Sequence, residues 1–150
     1  MSTMRPEIFD NKPLFESEIL KRYSNDSNFK IMSLHQLPAE KSFINGQFYI
    51  LNLDGLAGDG SHFVLLYRKD DKYYYFDSFG VPPGKIVRDF CAGLPLVYQN
   101  AAIQMISSNR CGAYCMYVAD NMKSVGFKDI IMRFYQHSSE YNERLIMSHF

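Results

Sequence analysis

The sequence predicts an α+β fold, and three observations predict it. Apolar runs of strand length, QFYILNL, HFVLLYRK and KYYYFD, cluster between residues 47 and 77. Helical patterns lie on either side, one short and early, the others filling the chain after Cys111. The chain has 150 residues, 47% of them hydrophobic, which suits one domain able to bury roughly 68–70% of its unfolded surface. The order helix, sheet, helices defines the class.

PLFESEILKRY, Pro13 to Tyr23, has Pro near its start and apolar Leu14, Phe15, Ile19 and Leu20, as a short helix requires. Ser24 to Glu40 reads as loop. QFYILNL reads as a buried strand, and DGLAGDGS, Asp54 to Ser61, breaks it with three glycines. HFVLLYRK and KYYYFD form a hairpin about Asp70 and Asp71. SFGVPPGK is a turn, IVRDFCAG a short helix, and PLVYQN with AAIQM one or two further strands. CGAYCMYVADNMKSVG, FKDIIMRFY and SSEYNERLIMSHF are helical, the last with Ser139 as its N-cap.

Lys plus Arg equals Asp plus Glu at 16 each, split 6 to 6, 5 to 6 and 5 to 4 over successive thirds. That balance supports neither nucleic acid nor an anionic membrane as the main partner. Three cysteines, Cys91, Cys111 and Cys115, do not make a disulfide framework. There is no apolar signal region at the N-terminus and no run of about 18 apolar residues. The expected setting is intracellular and reducing, where a free thiol persists. No Cys/His set has the spacing of a metal site, so no metal is expected.

A thiol in the first turn of a helix meets unpaired N–H groups and the positive end of the dipole. Cys111 holds that position, Gly112 beside it lets a substrate backbone approach, and AYCMYVA continues apolar on every side. Taken alone, such a cysteine is more often a packing residue, and Cys115 and Cys91 are read that way. A thiolate needs a base and the base an orienter. His62 opens a strand after GDGS, whereas His35 lies in a loop and His137 and His149 near the C-terminus. An even hairpin turn makes paired residue numbers sum to 141, which puts Asp77 on the face of His62, diagonal to it. Asp77 also reads as a turn-capping residue before SFG. Candidate oxyanion donors are the Cys111 N–H and Gln104, with Gln99 a competitor.

The ordered set GSHF, YYFDSFG, Gln104 and CGAYC resembles the adenovirus-type maturation proteases. The likeness is strongest to those of virophages, Mavirus included, and of Maverick/Polinton elements, and covers Phe48 to about Met122. The resemblance implies the adenain/SUMO-protease-like fold, a central mixed sheet with a buried helix carrying the nucleophile. It implies Cys111 as nucleophile, His62 as general base then acid, Asp77 as its orienting carboxylate and Gln104 as oxyanion donor. Phe63 replaces the family's Trp, keeps its aromatic volume, and is assigned with Gly112 to substrate binding. Asp77 stands where adenovirus enzymes use Glu and related families Asp.

On this reading the chain is a cysteine endopeptidase cleaving viral capsid precursors, acting in the virion and the viral factory of the host cytoplasm. No resident cofactor is expected. The family's activating viral peptide is carried as an expectation, although Cys91 matches no cofactor-pairing cysteine, and the neutral charge does not support DNA dependence. The alternatives are a ubiquitin- or SUMO-like isopeptidase, an acetyltransferase on the same fold, and an inactive binding module.

Overall fold

The protein is described by a computed structural model, in residues 16–40, 44–53, 62–104, 108 and 110–150. Helix α1 (Glu16–Arg22) is followed by strand β1 (Phe29–Ser33), a 3₁₀ turn (Leu34–Ala39), β2 (Phe48–Asn52), β3 (Phe63–Lys69) and β4 (Lys72–Phe76). Helix α2 (Lys85–Phe90), β5 (Leu96–Tyr98), α3 (Cys111–Met122), α4 (Phe127–Tyr135) and α5 (Ser139–His149) complete the order. The expected DGLAGDGS break and residues 13–15 of the first predicted helix lie outside the described residues.

The strands form one mixed sheet in chain order β1-β2-β3-β4-β5, with β1–β2 and β4–β5 parallel and the two central pairings antiparallel. All five residues of β2 are buried, as expected of a strand covered on both faces. In the β3–β4 hairpin Leu65 faces Phe76 and Lys69 faces Lys72, the register expected from the sequence. The turn is Asp70-Asp71, and Asp70 takes φ 55°, which Asp tolerates better than most residues.

Alternation divides the sheet into two cores. Phe29, Phe48, Ile50, Phe63, Leu65, Tyr67 and Phe76 face the helices, where α3 buries every residue from Cys111 to Ala119. Ile19, Ile130, Phe134 and Ile146 from the other helices close this side. Tyr49, Leu51, Val64, Leu66 and Tyr75 form the opposite face, covered by Leu37 of the 3₁₀ turn and Val87 of α2.

Four local expectations are corrected. The segment expected as loop contains β1 and the 3₁₀ turn. Ser33 starts that turn with a capping box, its hydroxyl on the His35 N–H and Gln36 on the Ser33 N–H. Ala101–Gln104 is not a strand, because the N–H groups of Ile103 and Gln104 both turn to the Ser78 carbonyl, at 2.8 and 3.0 Å. The N-cap of α5 is Ser138, whose hydroxyl accepts from the Tyr141 N–H, so Ser139 is the first helical residue. Phe63 is fully buried in the helix-side core, so its ring offers no substrate surface.

Candidate active site

The site forms at the end of the sheet where β3 begins and β4 ends. His62 precedes β3, and its carbonyl accepts from the Leu53 N–H at 2.9 Å, which extends the β2–β3 ladder by one residue. Asp77 follows β4. Its Oδ1 lies 3.1 Å from His62 Nε2 and accepts the Phe79 N–H at 2.9 Å. The turn-capping and imidazole-orienting readings of Asp77 therefore hold together, on one carboxylate oxygen. The Phe79 ring lies 5.3 Å from the His62 ring.

Helix α3 brings Cys111 to the same place. Its sulfur accepts the Phe63 N–H at 3.4 Å, while one turn deeper the Cys115 thiol donates to the Phe63 carbonyl at 3.4 Å. The first residue of β3 is thus held between the two cysteines, which fixes the helix tip against the strand that presents His62. The Cys111 side chain is a second hydrogen-bond partner of the His62 ring, beside Asp77.

Burial opposes protonation of His62 and is the largest single influence on it. The hydrogen bond to Asp77, the bond to Cys111 and the charges of both together outweigh it, and the pKa is pushed up from 6.5 to about 10. The ring carries its proton through neutral pH. The other thiols differ from this environment. Burial pushes Cys91 up to about 12, on the far face of the sheet. Cys115 is raised well above its ordinary value, by burial first and then by the charges of Cys111 and Asp77.

Gln104 is buried; its Oε1 accepts from the Ser78 hydroxyl, and its Nε2 donates to the Ser108 carbonyl at 2.7 Å. That nitrogen carries two N–H donors, and among the described residues Ser108 is the acceptor it meets. Helix α3 starts at Cys111 with Arg110 as its N-cap residue and no side-chain hydrogen bond at that cap, and the positive end of its dipole faces the site. Gly112 is buried in that turn.

Sequence reasoning missed the residues that hold this arrangement. The side-chain N–H of Gln99, a rival oxyanion candidate, instead donates to the Asp77 carbonyl. Gly80 has φ +74°, and a Cβ there would lie 2.5 Å from the Ala101 carbonyl carbon, so the Asp77 turn packs backbone to backbone on the following segment. Arg110, next to the nucleophile, pairs with Glu143 of α5 at 2.7 Å, and the Tyr114 hydroxyl donates to the same carboxylate. No spacing signals these contacts, which join residues 21 to 33 apart.

The remaining histidines lie elsewhere: His149 sits 2.9 Å from Asp120, and His137 stacks on Tyr141. Among the described residues no three His, Cys, Asp or Glu side chains gather as metal ligands, and no helix is long and apolar enough to cross a membrane.

No protein-family model and no curated protein matches the sequence. Solved structures do. The SUMO protease Ulp1, with its catalytic cysteine oxidised to a sulfinic acid, has a TM-score of 0.48 at 14% identity over 96% of this chain and 81% of its own. The ASFV protease, crystallised with selenomethionine, superposes with a TM-score of 0.59 at 16% identity, covering 91% of this chain and 67% of that one. The chain therefore has the fold of that protease structure, and in this chain it is a five-stranded mixed sheet with a buried helix whose first residue is Cys111.

Proposed function

We propose that the protein is a cysteine endopeptidase. The observation that carries this reading is the His62 ring set between the Asp77 carboxylate at 3.1 Å and the sulfur of Cys111. A buried carboxylate, a raised imidazole and a thiol at an uncapped helix start form the base-and-nucleophile relay that acyl transfer uses.

In the reaction, the Cys111 thiolate attacks the carbonyl carbon of a peptide bond. The negative charge that develops on oxygen is taken by the Cys111 N–H and the second N–H of the Gln104 amide. Protonated His62 gives its proton to the leaving amine as the C–N bond breaks. Neutral His62 then takes a proton from water, whose oxygen attacks the thioester, and the acid product leaves as sulfur regains its charge. Asp77 keeps the ring oriented and stabilises its protonated form throughout.

The substrates we assign are viral structural precursor proteins, cleaved in the virion or the viral factory of the host cytoplasm. The ordered His, Asp, Gln, Cys set and the fold of a viral protease support this. A virus-derived peptide activator remains part of the proposal. The test is digestion of the virus's own capsid precursors, read by mass spectrometry. Cys111→Ala is expected to lower kcat by several orders of magnitude and Gln104→Ala by about 10²–10³. Unchanged cleavage by Cys111→Ala overturns the reading.

A further inference from the structure

The turn after β4 holds two groups of the site. Asp77 gives a carboxylate oxygen to the His62 ring. The next residue, Ser78, is fully buried, and its hydroxyl donates to Oε1 of Gln104. Adjacent residues of one turn thus hold the base and the amide assigned to the oxyanion.

The backbone makes that arrangement rigid. The Asp77 carbonyl accepts the Gly80 N–H at 2.8 Å and a side-chain N–H of Gln99. The Ser78 carbonyl accepts the N–H groups of Ile103 and Gln104 at 2.8 and 3.0 Å. Gly80 closes the turn so tightly on the following segment that a Cβ there would lie 2.7 Å from the Ala102 nitrogen. Ser78 therefore meets Gln104 twice, its carbonyl on the main chain and its hydroxyl on the side chain.

The amide depends on both of its anchors. The oxygen and nitrogen of a carboxamide have nearly the same shape, so hydrogen bonds rather than packing decide which way each end faces. The Ser108 carbonyl can only accept, and it takes Nε2 at 2.7 Å, while the Ser78 hydroxyl supplies the donor that Oε1 requires. Gln104 is 3% exposed, so solvent does not replace that donor. A hydrogen bond to the amide oxygen also draws electron density from the nitrogen and strengthens its N–H groups as donors.

Resting on the endopeptidase reading and its oxyanion assignment, we propose that Ser78 is a positioning residue for the reaction. Its hydroxyl fixes the orientation of the Gln104 amide and polarises it, so that an Nε2 N–H meets the negative oxygen as it forms. That hydroxyl bonds Gln104 rather than the relay of Cys111, His62 and Asp77.

The experiment is a double-mutant cycle on kcat and KM, with a peptide spanning a site cut in the capsid precursors as substrate and iodoacetamide labelling of Cys111 in parallel. Ser78→Ala should lower kcat by about tenfold or more with KM held within about twofold, because the oxyanion bond forms only in the transition state. In the Gln104→Ala background the same substitution should change kcat by less than about twofold, and Cys111 should label within about twofold of the wild-type rate in both. A Ser78→Ala chain that only folds less well loses the same factor in both backgrounds, so the cycle separates a positioning role from a structural one. Equal losses in the two backgrounds, or an undiminished kcat for Ser78→Ala, overturn the positioning role and leave the peptidase reading intact. Gln104→Ala cleaving at the wild-type rate overturns the oxyanion assignment together with this inference, and undiminished cleavage by Cys111→Ala overturns the peptidase reading itself.

Discussion

Asp77→Asn removes a charge while keeping the shape of the side chain and an oxygen for the Phe79 N–H, so the turn after β4 should survive. The interval between 6.5 and about 10 at His62 corresponds to about 5 kcal/mol favouring the protonated ring. The side chain is 21% exposed, so solvent screens this interaction only in part. The hydrogen bond to the carboxylate is the largest of the upward influences, so without it the pKa falls from about 10 toward the ordinary value of 6.5. At pH 8 a ring with pKa about 10 is about 99% protonated and one with pKa 6.5 about 3%, so loss of the general acid alone predicts a drop of about 30-fold. The assay is kcat/KM on a cleaved peptide from pH 5 to 10.5, beside the rate of Cys111 alkylation. The alkaline limb should move from near pH 10 toward pH 6.5. An unmoved limb, with activity within threefold of wild type at pH 8, refutes the reasoning.

Other consequences follow from the same contacts. Because the folded-state pKa of His62 is raised, its contribution to stability is fully present below about pH 6.5 and is lost as pH climbs to about 10. Thermal melts across that window should show a decline that His62→Gln lacks. Glu143→Ala removes the carboxylate paired with the buried Arg110 guanidinium and the acceptor of Tyr114, and urea unfolding should register a loss of about 3–5 kcal/mol. Gly80→Ala forces a left-handed residue and a backbone clash into the Asp77 turn, so melting temperature and kcat should fall together. Cys115→Ala should cost about 1–3 kcal/mol, read by the same unfolding assay, and leave the alkylation rate of Cys111 within twofold.

Legibility in the sequence followed the range of each interaction. Strands β2, β3 and β4 could be read because each is a long apolar run and two of them close through a two-residue turn, which also set the register joining His62 to Asp77. Helix α3 could be read because nine consecutive buried residues leave no polar interruption before Asp120. Strand β1 could not. FKIMS contains Lys30 and Ser33, and its parallel pairing with β2 depends on a crossover that no local motif announces. AAIQM has strand composition, but Ser78 claims the N–H groups of Ile103 and Gln104. The aromatic after the histidine was assigned to substrate, yet strand alternation turns Phe63 into the core and gives its backbone to the two cysteines. Gln99 and the Arg110–Glu143 pair were invisible because their partners come from other elements.

The most direct measurement is the rate of iodoacetamide labelling at each cysteine at neutral pH, resolved by peptide mapping of the native chain. An imidazolium held against the Cys111 sulfur predicts that Cys111 labels at least about a hundredfold faster than Cys91 or Cys115, whose thiols burial keeps protonated, and that His62→Ala erases most of the difference. Equal labelling of the three, or a Cys111 rate indifferent to His62, contradicts the account.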